Sequence, residues 1–417
     1  MGVFIVKKFL TTLLCMLSMS SFACAAEPVE LSEPARNLTT SVNEFCWKYF
    51  GTLNRDENIF YSPYGINAAL SILANGATGD TRTEILHALE ADNVEALNDG
   101  HKNFSDFVAE NYGKTFAEAN LLLIDKKVIG RGIDKNFKRT VTDIYKSEVR
   151  EADFSGNLDG EKKKITSFVK DKTRGFIPDY QSIVTANTLT DLLNVVYFKG
   201  DWAMPFEARR TGEVDFTNRD GSKSTVKMMN KTFDEEISYR ADEKFCGIEL
   251  PYSENAAMLL ILPTDENSLD VAELWNNQTT EYREKFLDGL QRSHPFDGKV
   301  IVRLPKFELD IENSLVENLK AIGIQKAFSD GAELFNIIND TPLKIGGAKH
   351  RAKVKVDEKG TEAAAITEIA LMEAGCPIGA KPPRIVYFEA ERPFLFVIRD
   401  TQSGVTLFAG VVNSMRN

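Results

Sequence analysis

An apolar run near the middle of the chain, residues 192–198, constrains the fold more than any other feature of the sequence. A run of this length and composition is expected of a β-strand that is buried on both faces of its sheet. Strand-like patterns then dominate the second half of the chain. We predict these further strands at residues 226–229, 248–250, 257–262, 300–307, 385–389, 395–399 and 406–412.

Helical patterns dominate the first half of the chain instead. Their apolar residues recur at the spacing of one helix face, and Gly323 gives the last helix a C-terminal stop signal. We predict helices at residues 36–51, 62–75, 80–89, 160–172 and 315–322, with one early strand at residues 117–124. Because helices and strands are segregated rather than alternating as βαβ units, the pattern indicates an α+β fold. No internal repeat or composition break divides the chain, which favours one large domain.

The composition excludes one class of partner. Of the 417 residues, 43% are hydrophobic, as expected of a globular protein with a sizeable core. The formal net charge is −11, whereas nucleic-acid binding needs a basic surface. The charge therefore argues against nucleic acid as a partner.

The N-terminus has the pattern of an export signal. Lys7 and Lys8 precede apolar residues 9–17, and small residues follow at 23–26. The apolar run is too short to be a stop-transfer helix. We therefore predict a signal peptide at residues 1–26 and no transmembrane segment.

Removal of this signal peptide would leave a single domain at residues 27–417. We predict cleavage near Ala25 or Ala26 and a secreted protein, either extracellular or periplasmic. Lipid attachment at Cys24 is the less favoured alternative, because the three residues before it are a poor lead-in for lipid modification.

No catalytic motif stands out in the sequence. The four histidines occur in no metal-binding pattern, and no Gly-x-Ser-x-Gly elbow is present. Cys376 has none of the local signatures of a thiol protease. We therefore expect neither enzyme activity nor a cofactor or bound metal.

Residues 361–373 contain no turn signal, and their charges follow a strand-like order. In a strand, side chains alternate between two faces. The odd-numbered positions of 361–371 are uncharged, whereas Glu362 and Glu368 share the other face. A strand that enters a sheet must keep its carboxylates at the solvent side, because burying an unpaired charge is costly. The pattern predicts an insertable strand that ends near Glu373.

The residues around the start of this segment, EKGTEAAA at 358–365, resemble the hinge of the reactive-centre loop in the serpins, a family of protease inhibitors. Five other stretches resemble serpin motifs in the same order along the chain. These are NIFYSP at 58–63, NVVYFKGDW at 194–202, VKMM at 226–229, LPKF at 304–307 and RPFLF at 392–396. Because the motifs extend over nearly the whole mature chain, it is identified as a member of the serpin family.

The resemblance implies a fold of three β-sheets with about eight or nine α-helices and an exposed reactive-centre loop. It also implies a mechanism. A target serine protease cleaves the loop, remains attached as an acyl-enzyme, and is trapped when the cut loop, residues 360–374, inserts into the main sheet. The partner is then a protease in covalent complex with a chain that we expect to be monomeric. The uninserted form would be metastable, because it would persist only as long as insertion is slow and not because it is the more stable form.

Two groups of residues that govern sheet opening follow from the resemblance. Ser62, Asn194 and His350 match the serpin shutter, a polar cluster beneath the central strands. Gly65 stands where the family often has a second serine, so the usual set of shutter hydrogen bonds is not expected in full.

Trp202, Lys306 and Glu358 match the serpin breach, where the loop first enters the sheet. We predict an ion pair between Lys306 and Glu358 at this point. The hinge comprises Glu358, Gly360, Thr361, Glu362, Ala363, Ala364 and Ala365.

The resemblance also positions the bond that a protease would cut. Counting 17 residues with Glu358 as the first gives the bond between Ala374 and Gly375. A small residue before the bond fits a shallow, elastase-like specificity pocket. The segment after the bond is several residues longer than in well-known members. The open alternatives are cleavage after Met372, Glu373 or Cys376.

Two other functions stay open at this point. The same fold also inhibits papain-like cysteine proteases, and the residues around the cut bond do not discriminate between the two protease classes. A non-inhibitory serpin that acts as a carrier or chaperone is the other alternative. Such members usually have bulkier side chains in the hinge than residues 361–365 provide.

Overall fold

The run at residues 192–198 lies in a strand of the computed structural model, which describes residues 32–112, 115–339, 341–361 and 384–416. Ten α-helices and sixteen strands form within these ranges. The helices are α1 (Glu33–Phe50), α2 (Pro63–Gly76), α3 (Gly79–Ala88), α4 (Val94–Asn111), α5 (Lys126–Ile129), α6 (Lys135–Asp143), α7 (Leu158–Lys172), α8 (Val271–Asn276), α9 (Thr280–Gln291) and α10 (Val316–Ala321). The strands are β1 (Ile59–Tyr61), β2 (Phe116–Asp125), β3 (Glu148–Ala152), β4 (Thr190–Phe198), β5 (Gly212–Thr217), β6 (Lys223–Asp234), β7 (Tyr239–Ala241), β8 (Phe245–Pro251), β9 (Ala256–Pro263), β10 (Lys299–Pro305), β11 (Phe307–Ser314), β12 (Lys349–Asp357), β13 (Gly360–Thr361), β14 (Ile385–Glu389), β15 (Phe394–Asp400) and β16 (Thr406–Val412).

Two sheets are built mainly from the later strands. The six-stranded sheet has the order β1-β16-β15-β9-β8-β7, and the four-stranded sheet has the order β14-β10-β6-β5. Every residue of β9, β15 and β16 is buried, so the six-stranded sheet runs through the middle of the core. The α+β prediction is confirmed, because no βαβ alternation links these strands.

Two three-stranded units, β3-β2-β4 and β11-β12-β13, meet at the hinge, because β13 consists of its residues Gly360 and Thr361. Strand β13 pairs antiparallel with β12, with Thr361 opposite Val356. On its other side, the N–H of Thr361 donates to the carbonyl of Gly200, just beyond β4, at 2.7 Å. Within the described ranges no backbone hydrogen bond joins β4 directly to β12. These two units form the described part of the main sheet, and a gap separates β4 from β12 within it. We call this gap the parting; Gly360 and Thr361 lie in it.

Helix α2 packs against β4 at short range because of its N-terminal residues. Ser62 caps the helix by accepting a hydrogen bond from the N–H of Gly65 at 3.0 Å, and Pro63 occupies the first turn, where no N–H is needed. A β-carbon at Gly65 would lie 2.7 Å from both Asn194 Oδ1 and Val196 Cγ2. The absence of a side chain at position 65 therefore permits the close approach of helix and strand.

Most predicted elements are present with shifted ends, but two predictions are wrong. In β4, residues 193, 195 and 197 are buried, whereas residues 192, 194 and 196 are only partly buried, so the strand is not fully buried on both faces. The strand predicted at 300–307 is two strands, β10 and β11, because β10 pairs with β6 as far as Pro305, whereas Phe307 at the start of β11 pairs with Val356 of β12 in a different sheet.

Two predicted features lie outside the described ranges. Residues 1–31, which include the predicted signal peptide, and residues 362–383, which include the predicted scissile bond, lie outside the described ranges. Leu31–Asn417 forms one compact unit. No helix in the described part of the chain is long and apolar enough to cross a membrane.

Candidate functional site

The start of the hinge is fixed on both sides by backbone contacts. Gly360 has a φ of +152°, and a β-carbon there would lie 2.7 Å from Asp201 Cα and would also overlap the carbonyl oxygen of Gly200. Glycine is the residue that tolerates both the backbone conformation and the contact. The next side chain, Thr361, is 1% exposed, and its hydroxyl lies 2.8 Å from the Tyr252 hydroxyl. Gly360 and Thr361 are thus buried between β12 and the residues that follow β4.

An ion pair secures the residues that precede the hinge glycine. Lys306 Nζ lies 2.7 Å from Glu358 Oε2, and Thr211 donates to Glu358 Oε1 at 2.8 Å. The ion pair predicted from the sequence is therefore present. Burial opposes ionisation of Glu358, but the hydrogen bonds from Lys306, its own backbone and Thr211 outweigh it and hold the pKa of this carboxyl below its usual range.

Trp202 closes the same end of the parting. Its indole N–H donates to the carbonyl of Asp357 at 3.0 Å, and its backbone N–H donates to the carbonyl of Lys359 at 2.8 Å. The ring stacks on Tyr252, with ring centroids 4.5 Å apart and planes 10° from parallel. Because Trp202 lies shortly after β4 and donates to Asp357 and Lys359 at the turn before β13, it joins the two sides of the breach.

Two of the three predicted shutter residues are in direct contact. The backbone N–H of Ser62 donates to His350 Nε2 at 3.0 Å, while the Ser62 hydroxyl donates to the carbonyl of Leu407 at 2.7 Å. The imidazole is therefore a neutral acceptor at Nε2 in this geometry. Burial lowers the pKa of His350 to about 4, which favours the same neutral form.

Asn194, the third predicted shutter residue, contacts a different group. Its amide donates to Asn120 Oδ1 at 2.9 Å and to Glu118 Oε1 at 3.0 Å, and both acceptors belong to the neighbouring strand β2. Tyr64, in the first turn of α2, donates from its hydroxyl to Glu118 Oε2 at 2.6 Å. Burial raises the pKa of the Glu118 carboxyl although three hydrogen bonds favour its ionised form. In the described residues, the shutter thus consists of two separate contacts, one on each side of the parting.

A family model described as "Serpin (serine protease inhibitor)" matches residues 40–415 of this chain. The chain belongs to the serpin family.

Known serpins are similar to this chain along almost its entire length. Iripin-1 of Ixodes ricinus is 31% identical over 387 residues, which cover 91% of this chain and 95% of that protein. The leukocyte elastase inhibitor of Xenopus laevis is 31% identical over 388 residues, which cover 91% of this chain and 99% of that protein. The crystal structure of the thermophilic serpin Tengpin in its native state superimposes with a TM-score of 0.78, at 26% identity, covering 93% of this chain and 96% of that one. The serpin fold expected from the sequence is therefore confirmed.

The structure brings some of the predicted site residues together and does not describe others. Trp202, Lys306, Glu358, Gly360 and Thr361 meet at the breach. Four hinge residues and the predicted scissile bond fall outside the described ranges. These are Glu362, Ala363, Ala364 and Ala365 in the hinge and Ala374 and Gly375 at the bond. No group of three or more metal-ligating side chains occurs among the residues that are described.

Sequence reasoning missed four residues of this serpin's site. Thr211 and Tyr252 contact hinge residues more than 100 positions away, and neither has a sequence signal of its own. Glu118 and Asn120 did have a signal, because they are polar residues two positions apart in a segment predicted to be a strand. Residues with this spacing share one face, so a polar cluster on that face could have been predicted.

Proposed function

We propose that this serpin is a suicide-substrate inhibitor of a serine protease with elastase-like specificity. The protease cleaves the reactive-centre loop, and residues 360–374 then insert into the main sheet between β4 and β12. The inserted strand carries the protease with it before the acyl-enzyme can be hydrolysed. The chain itself acts as a trap and not as an enzyme.

The position of Gly360 and Thr361 is the observation that carries this proposal. These two residues pair antiparallel with β12 and bond to the residues after β4, in the parting between the two strands. An added strand gains its stability from such main-chain hydrogen bonds, and specificity from the pockets that take alternate side chains. Continuing the same strand beyond Thr361 would extend the pairing along both neighbours.

The alternation of side chains in the hinge and loop supports insertion. Thr361 is buried, so the odd-numbered positions 363, 365, 367, 369 and 371 would face the same side as Thr361. All of them are uncharged, while Glu362 and Glu368 would face the opposite side. Insertion of this strand would therefore leave no carboxylate on the buried face.

The covalent step uses the protease's own chemistry. The catalytic serine oxygen of the protease attacks the carbonyl carbon of Ala374, and the Ala374–Gly375 peptide bond breaks. The new amine of Gly375 leaves with a proton from the catalytic histidine, and Ala374 remains esterified to the serine. Insertion must then distort the protease faster than water hydrolyses this ester.

An elastase-like target is supported by the small side chain of Ala374 and by the family context. A shallow specificity pocket accepts alanine without a clash, and a serpin that is 31% identical to this chain is named leukocyte elastase inhibitor. The mass of the released C-terminal peptide identifies the cut bond. It distinguishes cleavage after Ala374 from cleavage after Met372, Glu373 or Cys376.

We further propose that the chain is secreted as a monomer after removal of residues 1–26. N-terminal sequencing of the exported protein tests the cleavage near Ala25 or Ala26. A protein that begins at a lipid-modified Cys24 would contradict this proposal. Light scattering of the mature chain tests the monomer.

Incubation with pancreatic and neutrophil elastase, followed by a denaturing gel, tests the inhibitory function. We expect a band at the combined mass of protease and cleaved serpin that resists boiling in detergent. A papain-like protease run in parallel tests the cysteine-protease alternative. The absence of a covalent complex with every member of a broad protease panel would contradict inhibition and favour a carrier or chaperone.

A further inference from the structure

Glu118 is a carboxylate in a strand that is otherwise built for the core. The residues that follow it in β2, from 121 to 125, are all buried. Three donors hold its two oxygens: the Tyr64 hydroxyl at 2.6 Å, the Asn194 amide at 3.0 Å and the Asn120 amide at 3.1 Å. No lysine, arginine or histidine of the described ranges forms an ion pair with it. Hydrogen bonds alone therefore satisfy this carboxylate.

The three donors come from three different elements of the fold. Tyr64 belongs to α2 beneath the sheet, Asn120 to β2, and Asn194 to β4 at the edge of the parting. Tyr64 is 1% exposed and packs among aromatic rings, with Phe104 at 5.0 Å between centroids. One carboxylate thus links a firmly packed helix residue to the strand that borders the inserting loop.

Position 65, next to Tyr64, cannot provide a side chain that would bond to Asn194 in this arrangement. A β-carbon at Gly65 would lie 2.7 Å from Asn194 Oδ1, so a serine there would require the strand or the helix to shift. The amide nitrogen of Asn194 instead finds its acceptors on β2, in Glu118 and Asn120. In this arrangement β4 is not bonded to β12 in the described residues, and Gly360 and Thr361 occupy the parting.

We propose that Glu118 is a positioning residue for loop insertion. Its carboxylate accepts a hydrogen bond from Asn194 and thereby holds β4 against α2 in the parted sheet. Tyr64 anchors the carboxylate to the helix, and Asn194 connects it to β4. Because the contact is seen where β4 is not bonded to β12, it favours the parted sheet, which an inserted loop needs, over a sheet in which β4 pairs with β12. Because trapping depends on insertion being faster than hydrolysis of the acyl-enzyme, it also raises the fraction of cleavage events that end in a complex. This role rests on the proposed inhibitory function.

Two variants and one matched control test the proposal. In Glu118→Gln the charge is removed, and, depending on which way the amide turns, either Tyr64 or both Asn120 and Asn194 lose this acceptor. Tyr64→Phe removes the anchor alone. Tyr112→Phe is the control, because the Tyr112 hydroxyl also donates to a buried carboxylate at 2.6 Å, but that carboxylate is Asp400, in β15 of the six-stranded sheet.

Each variant is studied by guanidinium unfolding before and after loop cleavage by papain or a glutamyl endopeptidase, and by its stoichiometry of inhibition against elastase. We expect Glu118→Gln and Tyr64→Phe to lower the unfolding midpoint of the cleaved form more than that of the intact form. We expect the stoichiometry of inhibition, which is the number of serpin molecules consumed for each protease molecule inhibited, to rise at least threefold in both variants. Tyr112→Phe should lower both midpoints alike and leave the stoichiometry unchanged.

Equal losses in the intact and cleaved forms would overturn the proposal, because they would mean that Glu118 is merely structural. A cleaved form that becomes more stable, or a stoichiometry that improves, would also overturn it. If the wild-type chain forms no complex with any protease, the inhibitory function fails. The comparison of intact and cleaved unfolding still decides the role of Glu118 in that case.

Discussion

Gly360 and Gly200 lie so close together that a β-carbon at position 360 would overlap the carbonyl oxygen of Gly200. The contact is part of the hydrogen bonding that fixes the first hinge residues, since that same carbonyl accepts from the N–H of Thr361 at 2.7 Å. The hinge can therefore pair with the residues after β4 only where position 360 has no side chain.

Gly360→Ala should convert the inhibitor largely into a substrate. The new methyl group clashes with Gly200, and the φ of +152° is strained for any residue with a β-carbon. We expect the stoichiometry of inhibition against elastase to rise by roughly tenfold or more, because slower hinge pairing gives water time to hydrolyse the acyl-enzyme. Gly346→Ala is the control, since no atom lies within 4 Å of a β-carbon there, and it should leave the stoichiometry unchanged.

Thr361→Arg should block insertion even though the loop is still cut. Thr361 is buried, and its hydroxyl contacts only the Tyr252 hydroxyl among the described side chains, so a guanidinium there would be buried without a carboxylate partner. We expect elastase to cleave the variant without a covalent complex on a denaturing gel. Thr361→Ser keeps the hydroxyl and should still form the complex. An arginine variant that traps protease as well as the wild type would contradict the burial of this side chain.

Lys306→Met should weaken the intact chain through the breach. Removing the lysine leaves the Glu358 carboxylate with fewer donors, and we expect a loss of about 1 kcal/mol in the free energy of unfolding. The folded pKa of Glu358 is lowered, so the stabilisation is present above the usual value of 4.5 and is lost as the pH falls through the folded pKa. Unfolding at pH 7 and pH 3 measures both effects. Lys227→Met removes an exposed pair with Glu213 and should have almost no effect at either pH.

His350→Gln should change how stability depends on pH. Burial lowers the folded pKa of His350 to about 4 from the usual 6.5, so the unfolded chain binds the extra proton first as the pH falls. The contribution of His350 is therefore complete above pH 6.5 and is lost between pH 6.5 and 4, where a protonated Nε2 can no longer accept from Ser62. The difference in unfolding free energy between the wild type and the variant should change across this window. A constant difference would mean that the histidine is charged in the folded protein.

Local sequence patterns predicted most of the strands but only five of the ten α-helices in the described ranges, and they missed α4 and α9 among others. They also failed where distant strands decide the structure. The apolar residues of β14 and β16 mark those strands with their observed ends. Strand β12 was missed although its charged residues alternate with the buried residues Ala352, Val354 and Val356, which is the pattern of a strand with one face in the core. The division at Lys306 depends on the pairing of Phe307 with Val356 in a different sheet, which no local pattern records.

The candidate site shows the same limit. The partners Lys306 and Glu358 could be proposed because opposite charges within known motifs suggest a pair. The contact between Tyr252 and Thr361 spans 109 positions and depends on how two strands end, so periodicity alone could not reveal it. Glu118 was overlooked although a charge within a strand of buried residues is itself a signal, since such a group needs hydrogen-bond partners.

Unfolding of the intact and loop-cleaved chains tests the central claim, that the cut loop becomes a strand of the main sheet, most directly. The mature chain is cleaved once within residues 362–383 by a protease that is not its target, and the guanidinium midpoints of both forms are compared. Insertion adds main-chain hydrogen bonds on both sides of the new strand, so the account predicts a cleaved form with a clearly higher midpoint. A cleaved form that unfolds at the same or a lower denaturant concentration than the intact chain would contradict it.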